Sequence, residues 1–186
     1  MLKPFLRLLR NRRSGLIESE AFRAARAAGV STLREARAAF ATEIGRARRY
    51  HRPLSLVIVG LDPTGEESDF PNIEGIPKGF SIHSAFFILG SLLRELLREI
   101  DVVAYSAEHH VFVLLLPESG EREAHAAARR ISSGVRRRIP LEIHAGIAEF
   151  PRDGFTLDTL IGHAHAAQNQ GVFASHPTIV REASGV

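Results

Sequence analysis

Histidine offers the widest metal and acid–base chemistry in this sequence, because the 186-residue chain contains nine histidines and no cysteine. The absence of cysteine excludes disulfides, thiolate metal sites and cysteine nucleophiles. His109 and His110 follow Glu108 in a tight connection between two apolar runs, where they are either zinc ligands or solvated polar residues. His163 and His165 are two positions apart on a predicted helix, so they face different directions and are not expected to chelate one ion together. We therefore predict no metal site and no cofactor.

The positive charge of the chain is concentrated towards the N-terminus. Residues 1–52 hold 13 Lys/Arg and 4 Glu, a balance of +9, whereas the remainder holds 11 basic and 17 acidic residues, a balance of −6; the two sum to +3. A basic end of this kind favours a negatively charged partner, whether lipid headgroups, an acidic protein or nucleic acid. Nucleic acid is not expected, because few aromatic residues accompany the arginines.

The first 13 residues read MLKPFLRLLRNRR, in which leucines alternate with basic residues at roughly helical spacing. This pattern is typical of a short basic amphipathic helix, which either packs on its own domain or docks on a membrane or a membrane-protein assembly. The candidate docking residues are Lys3, Phe5, Arg7, Arg10, Arg12 and Arg13. No apolar stretch resembles a secretory signal or reaches the length of a membrane span.

The pattern of apolar residues divides the chain into an N-terminal extension, residues 1–30, and one α/β domain, residues 31–186. Thr32 and Glu35 have the spacing of a capping box, and the run Leu54–Leu61 is typical of a strand buried on both faces. Residues 62–81 are predicted to form a long loop. Helices are predicted at 18–28, 32–50, 85–100, 121–138 and 156–169, and strands at 54–61, 102–105, 111–116, 142–150 and 178–181. Helices that alternate with apolar strands favour an α/β sandwich of mixed strand direction.

Several segments, taken in order, resemble the GGDEF (diguanylate cyclase-like) family over roughly residues 33–182. They read ATEIGRARRYHRPLSLVIVGLD, LGSLLRELLREIDVVAYS, VFVLLLPES and RISSGVRRRIPLEIHAGIAEFPRDGFTLDTLIGHAHAA. The resemblance implies a nucleotidyl cyclase, or palm-type, mixed β-sheet flanked by helices.

The resemblance also implies where catalytic groups should lie, and there this chain departs from the family pattern. The signature turn of two glycines and two acids corresponds to Ala107–Val111, and the first metal-binding aspartate of the family corresponds to Gly60, which leaves Asp62 as the second. The aspartate that contacts guanine aligns with His83, which in this fold could converge with the histidines of the turn, and the usual lysine near Val172 is missing. We therefore expect no catalytic residues, and a protein that is not an enzyme. The expected role is a structural, protein-interaction subunit on the cytoplasmic face of a larger, membrane-associated assembly.

One family motif is retained in full. Arg98 and Asp101 match the RxxD motif, which in the family binds cyclic di-GMP, and the assisting arginine and an acid of the following helix align with Arg130 and Glu123. Guanidinium groups bind phosphate and the guanine Hoogsteen edge, while a carboxylate accepts the N–H groups of guanine. Alternatively, the arginine and aspartate only cap their helix. A cyclic di-GMP receptor is thus the alternative function. An enzyme of altered specificity is not favoured, because no replacement acid pair or phosphate-cradling loop is found.

Overall fold

The computed structural model describes residues 21–61, 82–138, 143–173 and 179–181. The helices are α1 (21–27), α2 (Leu33–Tyr50), α3 (Ile82–Leu96), α4 (Glu121–Arg136) and α5 (Leu157–Phe173). The strands are β1 (Ser31–Thr32), β2 (Leu54–Leu61), β3 (Val102–Ser106), β4 (Val111–Pro117), β5 (Ile143–Phe150) and β6 (Ile179–Arg181).

The strands form one six-stranded sheet in the order β1-β3-β4-β2-β5-β6. β2 pairs antiparallel with β4 on one side and with β5 on the other, and the short strands β1 and β6 pair parallel with β3 and β5. The first seven residues of β2 are all buried, which explains why its sequence is nearly continuous in apolar residues.

Each face of the sheet is covered by its own apolar cluster. Residues of α1, α3 and α4 pack on one face, around Leu89, Phe112 and Ile131. Residues of α2 and α5 pack on the other, around Phe40, Ile58 and Leu160. The chain therefore forms an α/β/α sandwich, and the predicted α/β class with a mixed sheet is confirmed.

The backbone of helix α5 contacts the sheet directly at Gly146 of β5, which has no side chain. A Cβ atom at Gly146 would overlap the backbone carbonyl of Ala164. A glycine here lets the helix backbone rest directly on the strand. One turn further along α5, the side chain of Gln168 lies next to Gly60 near the end of β2.

Several predicted boundaries differ from the structure, and α5 in particular runs to Phe173 where residue 169 was predicted. Two further differences have a clear physical cause. Helix α3 was expected to reach residue 100 but ends at Leu96, because residues 98–101 fold into a turn that the Asp101 side chain closes. Strand β1 was not predicted, since it has only two residues and Thr32 also serves as the N-cap of α2 through the expected capping box with Glu35.

Parts of the chain singled out from the sequence lie outside the described residues, namely residues 1–20, with the candidate docking segment, and the 62–81 loop. Of the predicted N-terminal extension, residues 21–30 are described, and Ala21, Ala24 and Ala25 are buried in the cluster that also contains Leu89. In the described part of the chain, no helix has the length and apolar character needed to cross a membrane.

Candidate functional site

The turn after α3 is held closed by hydrogen bonds in both directions. The backbone N–H of Asp101 donates to the carbonyl of Arg98 over 3.0 Å, and the N–H of Arg98 donates to Oδ2 of Asp101 over 2.8 Å. The contact between these two residues is therefore from backbone to carboxylate. The Arg98 side chain remains exposed, and in the described ranges no ion pair joins it to Asp101.

Helix α4 brings a second arginine to this turn. Nη2 of Arg130 donates to the carbonyl of Leu96 over 2.9 Å, which satisfies a backbone acceptor at the C-terminal end of α3. Between the turn and α4 lies an open cleft of about 100 Å³. Its lining residues are Arg98, Asp101, Leu116, Ser119, Glu123, Ala126, Ala127 and Arg130.

The carboxylate of Asp101 is only half satisfied. Its Oδ2 accepts the Arg98 N–H, but its Oδ1 is buried and has no hydrogen-bond partner. Burial raises the pKa of Asp101, opposed by the Arg98 N–H and by the charges of Arg98 and Arg130. A buried acceptor that lacks a hydrogen-bond donor is energetically costly, and an N–H or O–H group placed next to Oδ1 would satisfy it.

The acidic residue Glu123 and the polar residue Ser119 also line the cleft. Oε2 of Glu123 accepts the N–H of Gly120 at the start of α4, over 3.2 Å. Ser119 is buried, and its Oγ donates to the carbonyl of Pro117 over 3.2 Å. Ser119 was not singled out from the sequence, because an isolated serine after a strand carries no distinctive pattern.

The connection between β3 and β4 carries the histidines noted in the sequence. His110 has a left-handed backbone, with φ of 52°, and its Nδ1 lies 3.3 Å from the hydroxyl of Tyr105. His109 is exposed and its ring packs against that of His165 on α5, with centroids 4.5 Å apart and planes inclined by 45°. Burial, followed by the nearby His109, lowers the pKa of His165.

At the end of β2, a side chain from α5 occupies the space above Gly60. A Cβ atom at Gly60 would lie 2.5 Å from Nε2 of Gln168, and that amide donates to the carbonyl of His144 over 3.3 Å. Gln168 is 5% exposed. The absence of a side chain at residue 60 is therefore matched by a buried glutamine, which the sequence pattern did not reveal.

The structure brings together Arg98, Asp101 and Arg130, the three predicted ligand-binding residues, and their role in binding stays a prediction. The structure does not place His83 together with His109 and His110 as a metal site. Across the described ranges, no group of three or more His, Asp or Glu side chains has the arrangement of a metal site. The docking residues of the N-terminal segment lie outside the described part of the chain.

Comparison with solved structures identifies the architecture. The diguanylate cyclase SiaD of Pseudomonas aeruginosa, solved with its activator SiaC, superposes with a TM-score of 0.68 at 19% identity over 96% of this chain and 68% of SiaD. The GGDEF domain of YfiN (TpbB) from the same organism gives 0.67 at 16% identity, over 81% of this chain and 89% of that one. The chain has a GGDEF-type fold.

A third GGDEF-domain structure, the coiled coil and GGDEF domain of DgcB from Caulobacter crescentus in complex with c-di-GMP, gives a TM-score of 0.59 at 12% identity. The superposition covers 75% of this chain and 74% of the solved DgcB chain. No protein-family model and no curated protein matches the sequence.

The comparison corrects one prediction made from the sequence. We expected that this GGDEF-like domain is not an enzyme, and that prediction is wrong: the solved structures with its fold include diguanylate cyclases, which are enzymes. The expectation relied on single positions such as Gly60 and the Ala107–Val111 turn. A one-to-one alignment of residue types does not account for side chains that enter from elsewhere, as Gln168 does above Gly60.

The buried carboxylate of the GGDEF-like domain makes a prediction about stability. Because the folded-state pKa of Asp101 is raised, the folded protein holds that proton more tightly, and stability is lost as the pH rises through the folded-state pKa. Asp101→Asn retains an oxygen for the Arg98 N–H and has no charge to bury. We expect a higher Tm at pH 7, by less than the roughly 2–4 °C that 1 kcal/mol represents in a chain of this size, and no difference below the ordinary aspartate pKa of about 3.9.

Thermal melts at several pH values test this expectation, with Glu99→Gln as the matched control in the same turn, since Glu99 is exposed. The control should leave Tm unchanged. A lower Tm for Asp101→Asn at pH 7 would show that the carboxylate is a stabilising partner of the arginines and not an acceptor kept for a ligand.

Proposed function

We propose that this GGDEF-like domain binds cyclic di-GMP in the cleft between the 98–101 turn and α4. The observation that carries the proposal is the Asp101 carboxylate: Asp101 lines the cleft, and its Oδ1 has no hydrogen-bond donor within the protein. The N–H groups of guanine are donors of the kind that such an acceptor needs, and they would restore the hydrogen bond that burial removed.

The arginines of the cleft supply the complementary half of the recognition. Arg98 projects from the turn and Arg130 from α4, so that two guanidinium groups flank one carboxylate. Guanidinium groups bind phosphate oxygens and the O6/N7 edge of guanine in a bidentate manner. A ligand that carries both phosphate and guanine therefore matches the cleft better than a phosphate or a base alone.

The size of the cleft bears on how the ligand would lie. With about 100 Å³, the cleft accommodates the edge of a base, and most of a dinucleotide would rest on the exposed surface around Arg98 and Arg130. The affinity for cyclic di-GMP would then depend on a few contacts with the cleft, so the loss of any one of them should weaken binding strongly. The DgcB structure, solved in complex with c-di-GMP, is a precedent for this ligand on the same fold.

We predict that Arg98→Ala and Arg130→Ala each weaken cyclic di-GMP binding. A hydrogen bond to a charged group contributes about 1.5–3 kcal/mol, so each variant should raise Kd about 10- to 100-fold. Isothermal titration calorimetry on the full chain measures this. Asp101→Asn should also bind weakly, because it replaces a charged acceptor by a neutral amide.

Arg129→Ala is the matched control, since Arg129 is exposed on α4 beside Arg130 but does not line the cleft. It should bind like the wild type. Absence of binding by the wild type at high micromolar ligand, or equal binding by Arg98→Ala, Arg130→Ala and Arg129→Ala, would rule out the cleft as a cyclic di-GMP site.

We also propose that residues 1–13 attach the domain to the cytoplasmic face of a membrane or of a membrane-protein assembly, in the role of a protein-interaction subunit. The support is the sequence of this segment, which has five basic residues, no acidic residue and interleaved leucines. Basic residues near an anionic surface contribute about 1 kcal/mol each. The leucines add to this only where they are buried, so reversible attachment is expected and protein contacts would strengthen it.

We predict that deletion of residues 1–13 leaves Tm unchanged and releases the protein from the membrane fraction into the soluble fraction. Cell fractionation and a thermal melt of the same variant measure both effects. The triple variant Arg10→Glu, Arg12→Glu and Arg13→Glu keeps the leucines and should also be released. A deletion variant with lowered Tm that stays in its original fraction would instead show that the segment packs on its own domain.

A further inference from the structure

The exposed side of helix α4 is strongly basic in its C-terminal half. Residues 126–138 contain five arginines and no acidic residue. Arg122, Arg129 and Arg136 are exposed and follow one another at intervals of seven positions. Because seven residues are close to two helical turns, the three lie on one stripe that spans about 21 Å. The opposite side of α4 is buried against the sheet.

The charge of this side is only partly balanced within the protein. Arg138 forms an ion pair with Glu95 over 2.8 Å. In the part of the chain that the structure describes, no acidic side chain forms an ion pair with Arg129 or Arg137. The helix dipole favours basic residues in the last turn only, so it does not account for Arg129, seven residues before the helix ends at Arg136. These cations are available to an anionic partner.

The neighbouring helices fit a lipid surface. Helices α1 and α3 pack on the same face of the sheet as α4, and each presents a phenylalanine to solvent. Phe22 of α1 is 37% exposed and Phe87 of α3 is 40% exposed. The basic, leucine-containing residues 1–13 precede α1 in the sequence, so the chain enters the folded domain in this same layer. Arginines beside aromatic and leucine side chains are typical of surfaces that lie at a membrane interface.

We propose that the layer formed by α1, α3 and α4 is a surface that contacts an anionic phospholipid bilayer, with Arg129 and Arg137 as its main electrostatic contacts. The choice of partner rests on the membrane attachment proposed above for residues 1–13, whereas the charge of α4 is independent of that segment. Each arginine held near an anionic surface should raise the partition coefficient about fivefold. The contribution should fall as salt screens the charges.

The test is sedimentation of the full chain with vesicles of phosphatidylcholine that contain about 30% phosphatidylglycerol, at about 20 mM and about 150 mM NaCl. We expect binding to these vesicles and much weaker binding to pure phosphatidylcholine. The double variant Arg129→Glu and Arg137→Glu should lower the partition coefficient at least 25-fold, since about fivefold is lost at each position and the new charges repel the lipid.

Arg34→Glu with Arg49→Glu is the matched control. It changes the net charge by the same amount, and both arginines are exposed on α2, which covers the other face of the sheet. Neither forms an ion pair among the described residues. The control should bind anionic vesicles nearly as well as the wild type. Thermal melts should show that both double variants are folded, because all four side chains are exposed.

Deletion of residues 1–13 separates this inference from the attachment on which it rests. The shortened chain should keep weak binding to anionic vesicles at about 20 mM NaCl, and Arg129→Glu with Arg137→Glu should remove that remainder. If deletion alone changes nothing, the α4 surface is supported and attachment through residues 1–13 is not. Complete loss on deletion, with no effect of the α4 substitutions in the full chain, would support the attachment and overturn the α4 surface.

Three further outcomes would overturn the proposal. The first is a wild-type chain that does not bind anionic vesicles. The second is an equal loss of binding in the α2 control, which would show that net charge and not the α4 layer determines the affinity. The third is a wild-type chain that binds a short DNA duplex through Arg129 and Arg137 but does not bind vesicles.

Discussion

The burial of β2 on both faces is the constraint on which the rest of the structure depends. A strand whose side chains are apolar on either side needs a layer of helices on each face and a hydrogen-bonded strand at each edge. Here β4 and β5 pair with its edges, while α3 and α4 cover one face and α2 and α5 the other. The turn before β3 and the connection between β3 and β4, which carry the candidate residues, are exposed segments at the ends of buried strands.

The fold was predictable to the extent that single segments carry their own signal. The apolar run of β2 and the capping box of Thr32 and Glu35 act over a few residues, and both were found in the structure. The end of α3 was missed because helical periodicity continues to Ile100, whereas the Asp101 side chain stops the helix by accepting the N–H of Arg98. A side-chain hydrogen bond that competes with the helix leaves little trace in the spacing of apolar residues.

The site was only partly predictable, for a related physical reason. The RxxD spacing placed Arg98 and Asp101 on one turn, and the resemblance to the family added Arg130. The cleft around Asp101, however, is formed by the 98–101 turn together with Leu116 of β4 and residues of α4, a tertiary arrangement that no local pattern encodes. The contacts of His109 with His165 and of Gln168 with the end of β2 arise in the same way, because α5 rests on Gly146.

We propose that the half-buried, incompletely hydrogen-bonded carboxylate of Asp101 is the acceptor for a guanine-containing ligand. Carboxyl ¹³C NMR titration of Asp101, with and without saturating cyclic di-GMP, measures this directly. We predict a pKa above the ordinary aspartate value in the free protein, and a lower pKa in the complex, because donors from the ligand favour the charged form. An ordinary pKa in the free protein, or a pKa that cyclic di-GMP does not change, would contradict it.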